Sequence, residues 1–142
     1  WDYGAELEWF MCDYPKHESL RRCVAALNHL YLEEPCLWAD DFSWDGFRWI
    51  YTDRKEDNMT AFARRDCDGN ELIAVFHFSP CLRPRYEIPT LEPGKYEILM
   101  NTDDPQFGGN GVPLSMEERV GEDGILHLTL PPLCALYLKK KK

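Results

Sequence analysis

At 142 residues, with 44% hydrophobic, 13% aromatic and 29% charged side chains, the chain has the composition of one ordinary globular domain, with room for a fragment of a second. Its 16 Lys and Arg against 25 Asp and Glu leave a net charge of −9. That charge repels phosphate backbones and acidic membranes, so nucleic acid and anionic lipid are excluded as partners, and no stretch approaches the roughly 18 apolar residues of a membrane-spanning helix.

The chain opens at Trp1 rather than at Met, as expected of a fragment, and aromatic residues crowd its first third. From Pro15 to Tyr31, Leu20, Cys23, Val24, Leu27, Leu30 and Tyr31 recur at spacings of three and four, which predicts one amphipathic helix. Pro15 suits its first turn, and Pro35 disfavours the helical conformation at Glu34 and so ends it. Such a helix cannot bury its face alone; it must pack on the remainder of the chain or on something upstream.

Beyond residue 40 the pattern changes to short runs rich in aromatic and β-branched residues between Gly, Pro, Asn and Asp clusters. Strands are expected near Phe47 to Tyr51, Met59 to Arg64, Glu71 to Phe78, Arg85 to Ile88, Tyr96 to Met100, Ile125 to Leu130 and Leu133 to Leu138. Asp68-Gly69 signals a hairpin with a tight primed turn. The polar segment Asn101 to Gly124 holds five of the nine glycines and reads as one long loop, flexible at Phe107 to Gly111. Short, turn-linked strands predict a two-sheet sandwich, so the fold class is mainly β, an antiparallel β-sandwich preceded by one α-helix.

Little in the chain points to chemistry. The acid pairs Glu33-Glu34, Asp40-Asp41, Asp103-Asp104 and Glu117-Glu118 have the character of exposed acids in turns, because neighbouring side chains on an extended chain point opposite ways. No CxxC, HxxxH or HxH provides metal-ligand spacing, and neither a GxSxG nucleophile turn nor a phosphate loop occurs, so no catalytic residue, metal or cofactor is expected. Six cysteines without an apolar leader, two of them (Cys23 and Cys134) inside apolar runs, favour a reducing cytoplasm over a disulfide scaffold. The aromatic cluster is compatible with glucan binding, because a flat ring buries the C–H face of a sugar; the competing reading is packing in a core or interface.

Seven collinear strings carry a resemblance: WDYGAELEWFMCDYPKH (1 to 17), ALNHLYLEEPCLW (26 to 38), WDGFRWI (44 to 50), AFARRD (61 to 66), HFSP (77 to 80), PGKYEILMNTDDPQFGG (93 to 109) and LPPLCALYL (130 to 138). Together they resemble bacterial glycogen (1,4-α-glucan) branching enzymes, members of the α-amylase superfamily. The resemblance implies that residues 1–40 end a catalytic (β/α)8 barrel, with residues 15 to 32 its last helix, and that residues 41–142 form the C-terminal all-β sandwich. It also implies an α-glucan substrate (glycogen or linear 1,4-glucan), the upstream barrel as partner, and a retaining transglycosylase whose nucleophile and acid/base carboxylates lie upstream of Trp1. The chain by itself is then expected to be inactive. Trp1 and Asp2 match the loop at the barrel's C-terminal face, where an outer subsite would lie. Trp49 matches a surface platform on which a sugar ring stacks, although alternation with Phe47 and Tyr51 equally suits a core position. The chain departs from the pattern at His77 (usually Asn), in the stretch YEIPTLEPG, which lacks a Gly-Val before its Pro, and at Cys134 (usually Ala). Other readings are the C-terminal domain of a debranching enzyme or amylase, a non-catalytic glucan-binding module, and an unrelated interaction sandwich.

Overall fold

A computed structural model describes residues 2–89 and 91–141. After a 3-10 turn, Trp9–Asp13, the helix α1 runs Pro15–Glu33. It continues two residues past Tyr31, because Glu34, held before Pro35, is the first residue to leave helical dihedrals (φ −108, ψ 96). The Glu34 N–H still donates to Leu30 O at 3.0 Å, and a 3-10 turn, Pro35–Leu37, leads the chain away.

Eight strands follow among the described residues: β1 (Phe47–Tyr51), β2 (Met59–Arg65), β3 (Glu71–His77), β4 (Arg83–Ile88), β5 (Gly94–Asn101), β6 (Glu117–Val120), β7 (Leu126–Leu130) and β8 (Cys134–Lys140). Every pairing is antiparallel. Six strands form one sheet in the order β1-β2-β3-β8-β5-β6, and β4 with β7 forms the other. Alternation along the strands sends Ala61 and Ala63, Ile73 and Val75, Tyr96 and Ile98, and Leu136 and Leu138 inward against Ile88, Leu126, Leu128 and Leu130 of the smaller sheet. Each Leu buried there contributes about 2 kcal/mol of apolar transfer energy, which makes this inter-sheet layer the main stabilising element. The antiparallel sandwich and the leading helix, the single α-helix among the described residues, match the expected class.

Three local expectations fail for identifiable reasons. The stretch expected to be one loop, 101 to 124, contains β6, whose residues Glu117, Glu118, Arg119 and Val120 offer one apolar side chain to a period-two search. β6 is an edge strand made of charges, and Lys141 pairs with both Glu97 (3.5 Å) and Glu117 across it. The β2–β3 turn is not a primed one, because only Gly69 has positive φ (81) and Asp68 does not. Instead the Asp66 carboxylate accepts the N–H groups of Asp68 (3.0 Å) and Asn70 (2.9 Å), and Gly69 N–H donates to Asp66 O at 3.1 Å. The FGGNG loop, expected to be flexible, is organised about a buried carboxylate, that of Asp103.

The helix lies on the outer face of the six-stranded sheet. Leu30 is its buried residue, and Cys23 lies near Tyr137 of β8, whose hydroxyl is pushed up first by burial and then by that thiol. Glu34 pairs with Lys139 of β8, and the Cys36 thiol donates to Asn70 O at 3.2 Å, so the helix's C-terminal end is pinned to the sheet. Leu20, Val24 and Tyr31 remain exposed, Leu20 by 64%, and leave an apolar stripe on α1 uncovered by the described residues.

Candidate functional site

The outer face of the six-stranded sheet carries a continuous row of rings. In β1 a register shift between Trp49 and Tyr51 breaks the simple alternation, so Ile50 and Tyr51 both pack on the core while Phe47 and Trp49 share the outer face. The core-facing option for Trp49 is therefore corrected: Trp49 is 50% exposed and pairs with Phe62 of β2. Its ring meets Phe47 at 4.9 Å and Phe62 at 5.9 Å, both at 86°. Phe62 stacks on Phe76 of β3 (5.7 Å), and Phe76 in turn stacks on Phe78 (6.3 Å) and meets Tyr137 edge-on (6.0 Å). Aromatic pairs in these geometries add about 1 kcal/mol each beyond their burial, which fixes the rotamers of the whole row.

Polar groups stand at its open end. Arg64 of β2 pairs with Asp41 and donates to Asp40 O at 3.1 Å, which ties the segment 39–43 to the sheet. The Asp40 carboxylate, held below its ordinary range chiefly by the Ser43 hydroxyl, also accepts Ser43 N–H at 3.1 Å. Gly46 is required there, since a Cβ would lie 2.1 Å from Asp40 O. Trp44 caps the row, 6.4 Å from Phe47 and largely exposed.

The other sequence-derived site residues fall elsewhere. Trp1 lies outside the described residues. Asp2 is exposed, and its carboxylate accepts Gly4 N–H at 2.9 Å in a local turn. The lining of the cleft around Asp2 comes from residues 2–12, and Trp49 is not part of it.

Asp103, expected to be an exposed acid, is instead buried. It is 3% exposed, and its carboxylate accepts Asn110 N (2.9 Å), Asn110 Nδ2 (3.2 Å) and Val112 N (2.8 Å). The loop closes so tightly that a Cβ on Gly109 would lie 2.2 Å from the Asp103 carbonyl carbon, and Gly108 adopts φ 85 beside Ser19 of α1. The signal that could have found it is the glycine pair itself: two glycines shortly after an Asp mark a backbone wrapped around an acceptor. Among the remaining acids, Asp41, Glu34 and Glu117 are spent on ion pairs and Asp40 and Asp104 on turns. Among the described residues no group of three or more His, Cys, Asp or Glu is placed to hold a metal ion. His77 is buried, with Nδ1 2.7 Å from Pro131 O, a structural contact at the β3 terminus.

An antiparallel six-plus-two sandwich entered through one helix, with a row of rings on the outer face of its larger sheet, defines an all-β domain. The family described as alpha amylase, C-terminal all-beta domain, matches residues 49–141, and the chain belongs to it. The 1,4-alpha-glucan branching enzyme GlgB of Photobacterium profundum is 33% identical over 148 residues, covering 100% of this chain and 21% of that protein. Those of Rhizobium meliloti and Salinibacter ruber are 36% and 37% identical over 145 residues, covering 99% and 98% of this chain and 20% and 23% of theirs. The chain thus spans about a fifth of the length of these relatives. Among solved structures, alpha-amylase from H. orenii superimposes with a TM-score of 0.55 at 18% identity, over 88% of this chain and 20% of that one. Trehalulose synthase MutB from Pseudomonas mesoacidophila gives 0.50 at 21% identity, over 82% and 17%; both likenesses concern the fold alone. No helix among the described residues is long and apolar enough to cross a membrane.

Proposed function

We propose that the chain is the C-terminal part of a 1,4-α-glucan branching enzyme that cleaves α-1,4-glucan and transfers the piece to a sugar 6-hydroxyl, creating α-1,6 branches in glycogen synthesis. The observation that carries the reading is the similarity to branching enzymes over nearly the entire chain, helix and sandwich together. In this reading residues 1–40 end the catalytic barrel, with α1 as its last helix, and residues 41–142 are the companion sandwich. The bare stripe of Leu20, Val24 and Tyr31 is the face that meets the barrel, and burying it supplies the helix with its missing partner. Its reaction is a retaining double displacement by two carboxyl groups of the barrel, upstream of Trp1. The chain alone is inactive, and its part is to seat the last helix and to present an α-glucan surface.

Trp49 is the residue proposed to contact glucan. Its ring is half exposed and braced by Phe47 and Phe62, so stacking on a sugar costs little side-chain entropy. Trp1 and Asp2 belong to the same proposal as outer-subsite residues at the mouth of the barrel. A cytoplasmic setting also belongs to it, supported by the use of Cys36 and Cys134 as buried packing groups.

Iodine staining tests the catalytic part: the chain alone leaves amylose unbranched, and the chain continuous with its barrel produces branches. Branching by the chain alone overturns the reading. Electrophoresis in glycogen tests the surface: strong retardation, abolished by Trp49→Ala, is expected, and indifference to glycogen refutes the platform.

A further inference from the structure

Within Arg83-Pro84-Arg85 the proline donates no hydrogen bond, and the β4–β7 register slips between Arg83 and Tyr86. Arg85 sits at φ 50, the left-handed region that a residue with a Cβ enters only at a cost. The slip brings these residues to a cleft of 390 Å³ shared with the β1–β2 connection. Arg54, Arg83 and Arg85 line it against Asp57 and Glu87, a local positive excess on a chain of net charge −9.

Much of the polar capacity of the cleft is already spent. The Tyr86 hydroxyl donates to Asp57 Oδ2 at 2.7 Å, and that hydrogen bond adds to burial in pushing the phenol up. The Tyr51 hydroxyl donates to Glu87 O at 3.0 Å. The Arg54 guanidinium lies 4.7 Å from the Tyr51 ring centre, with Asp53 also nearby, and Asp57 is 3.6 Å from Arg83 Nη2. The remaining capacity is for donation. Arg83 Nε is buried without an acceptor and closed to solvent, so the donors open to the cleft are the exposed end of Arg83 and the exposed Arg85, which no ion pair occupies among the described residues. Planar guanidinium forks with N–H groups to spare match the tetrahedral face of a phosphate oxyanion, not a neutral hydroxyl.

We propose that this cleft binds a small phosphate-class oxyanion, free or as the monoester of a sugar, on the guanidiniums of Arg83 and Arg85 with Arg54 at the rim. The site shares no residue with the Trp49 row, and the inference does not rest on the branching-enzyme reading. Titration of the chain with inorganic phosphate, a hexose 6-phosphate, glucose and sodium chloride tests it, with the Arg Nε–Hε resonances and calorimetry as readouts. Saturable binding of phosphate or of the ester is expected, moving the Arg83 resonance, weakening as salt rises, and absent with glucose and chloride. A hexose phosphate that binds about tenfold tighter than phosphate assigns the ester as ligand, and equal affinities assign the free oxyanion. Arg85→Gly relieves the left-handed strain, so it raises the unfolding midpoint while lowering affinity about tenfold, a combination that a purely structural Arg85 does not produce. Arg83→Lys keeps the charge but loses the fork and also weakens binding. Absence of saturable binding by both phosphates, or binding indifferent to Arg85→Gly, overturns the proposal.

Discussion

Replacing Asp103 by Ala strips the acceptor from Asn110 N, Asn110 Nδ2 and Val112 N at once, in a place where the side chain is 3% exposed. A donor stranded in a buried site costs about 1–3 kcal/mol, because water does not replace the lost partner. The Asn110 side chain is exposed and regains water, so two backbone N–H groups carry the loss, which comes to about 3 kcal/mol. In a domain of this size that lowers the melting midpoint by roughly 10 °C. Asp103→Asn keeps one acceptor oxygen but sets an NH2 against an N–H donor, so an intermediate loss of about 2 kcal/mol is expected. Urea denaturation followed by tryptophan fluorescence and circular dichroism measures both variants, with the slope against denaturant unchanged if the native and unfolded states keep their compactness. A loss below about 0.5 kcal/mol for Asp103→Ala is what a solvated surface acid gives, and that result rules out Asp103 as the buried acceptor that holds the loop.

Two further predictions concern the helix. The Glu18 carboxyl is lowered to about 2 by hydrogen bonds from Arg21 and Arg22 (2.6 and 2.8 Å). Its folded pKa is depressed, so the stabilisation is present above the ordinary 4.5 and is lost as pH falls through about 2. Glu18→Gln should therefore flatten the loss of helicity between those values, and since the pair is on the surface the difference should shrink in high salt. The stripe of Leu20, Val24 and Tyr31 should make the chain self-associate in light scattering, and Leu20→Glu with Val24→Glu should return it to a monomer. A monomeric unsubstituted chain counts against the exposed stripe.

How legible each element is in the sequence depends on how strongly it announces its period. α1 combines a three-four repeat with proline at both ends, and β2, β3, β7 and β8 alternate or run apolar throughout, so the expected bounds of each agree with the structure within one or two residues. β6 escapes a periodicity search because an edge strand needs no second apolar residue to pair with β5. Asp103 escapes because nothing in the identity of an acid tells whether its oxygens face water or a ring of backbone N–H groups; the glycines at 108 and 109 hold that information instead. The position of Trp49 is undecidable by alternation, since the shift between Trp49 and Tyr51 cancels the period on which such reasoning depends. The cleft at Arg83 and Arg85 has no linear signature at all, being assembled from the β1–β2 connection and the β4 slip.

The helix stripe and the aromatic row differ in kind, and the difference bears on what each can meet. The stripe on α1 is aliphatic apart from Tyr31, and Leu20 and Val24 find no cover on the sheet to which the rest of the helix is pinned through Glu34 and Cys36. Aliphatic side chains gain from contact with other aliphatic surface and offer a sugar neither a flat face nor a hydrogen bond, which suits an interdomain joint. Trp49 and Trp44 instead stand beside Arg64, Asp40 and Asp41, on a row of rings whose far end, Tyr137, runs beneath the helix. A wide aromatic face with charged hydrogen-bonding groups at its margin suits a polar ligand with one apolar side. Removing Trp49 should therefore change glucan retention without changing self-association, while charging Leu20 and Val24 should do the reverse. If the two properties move together in either variant, the helix stripe and the aromatic row form one docking surface, and the separate platform must be given up.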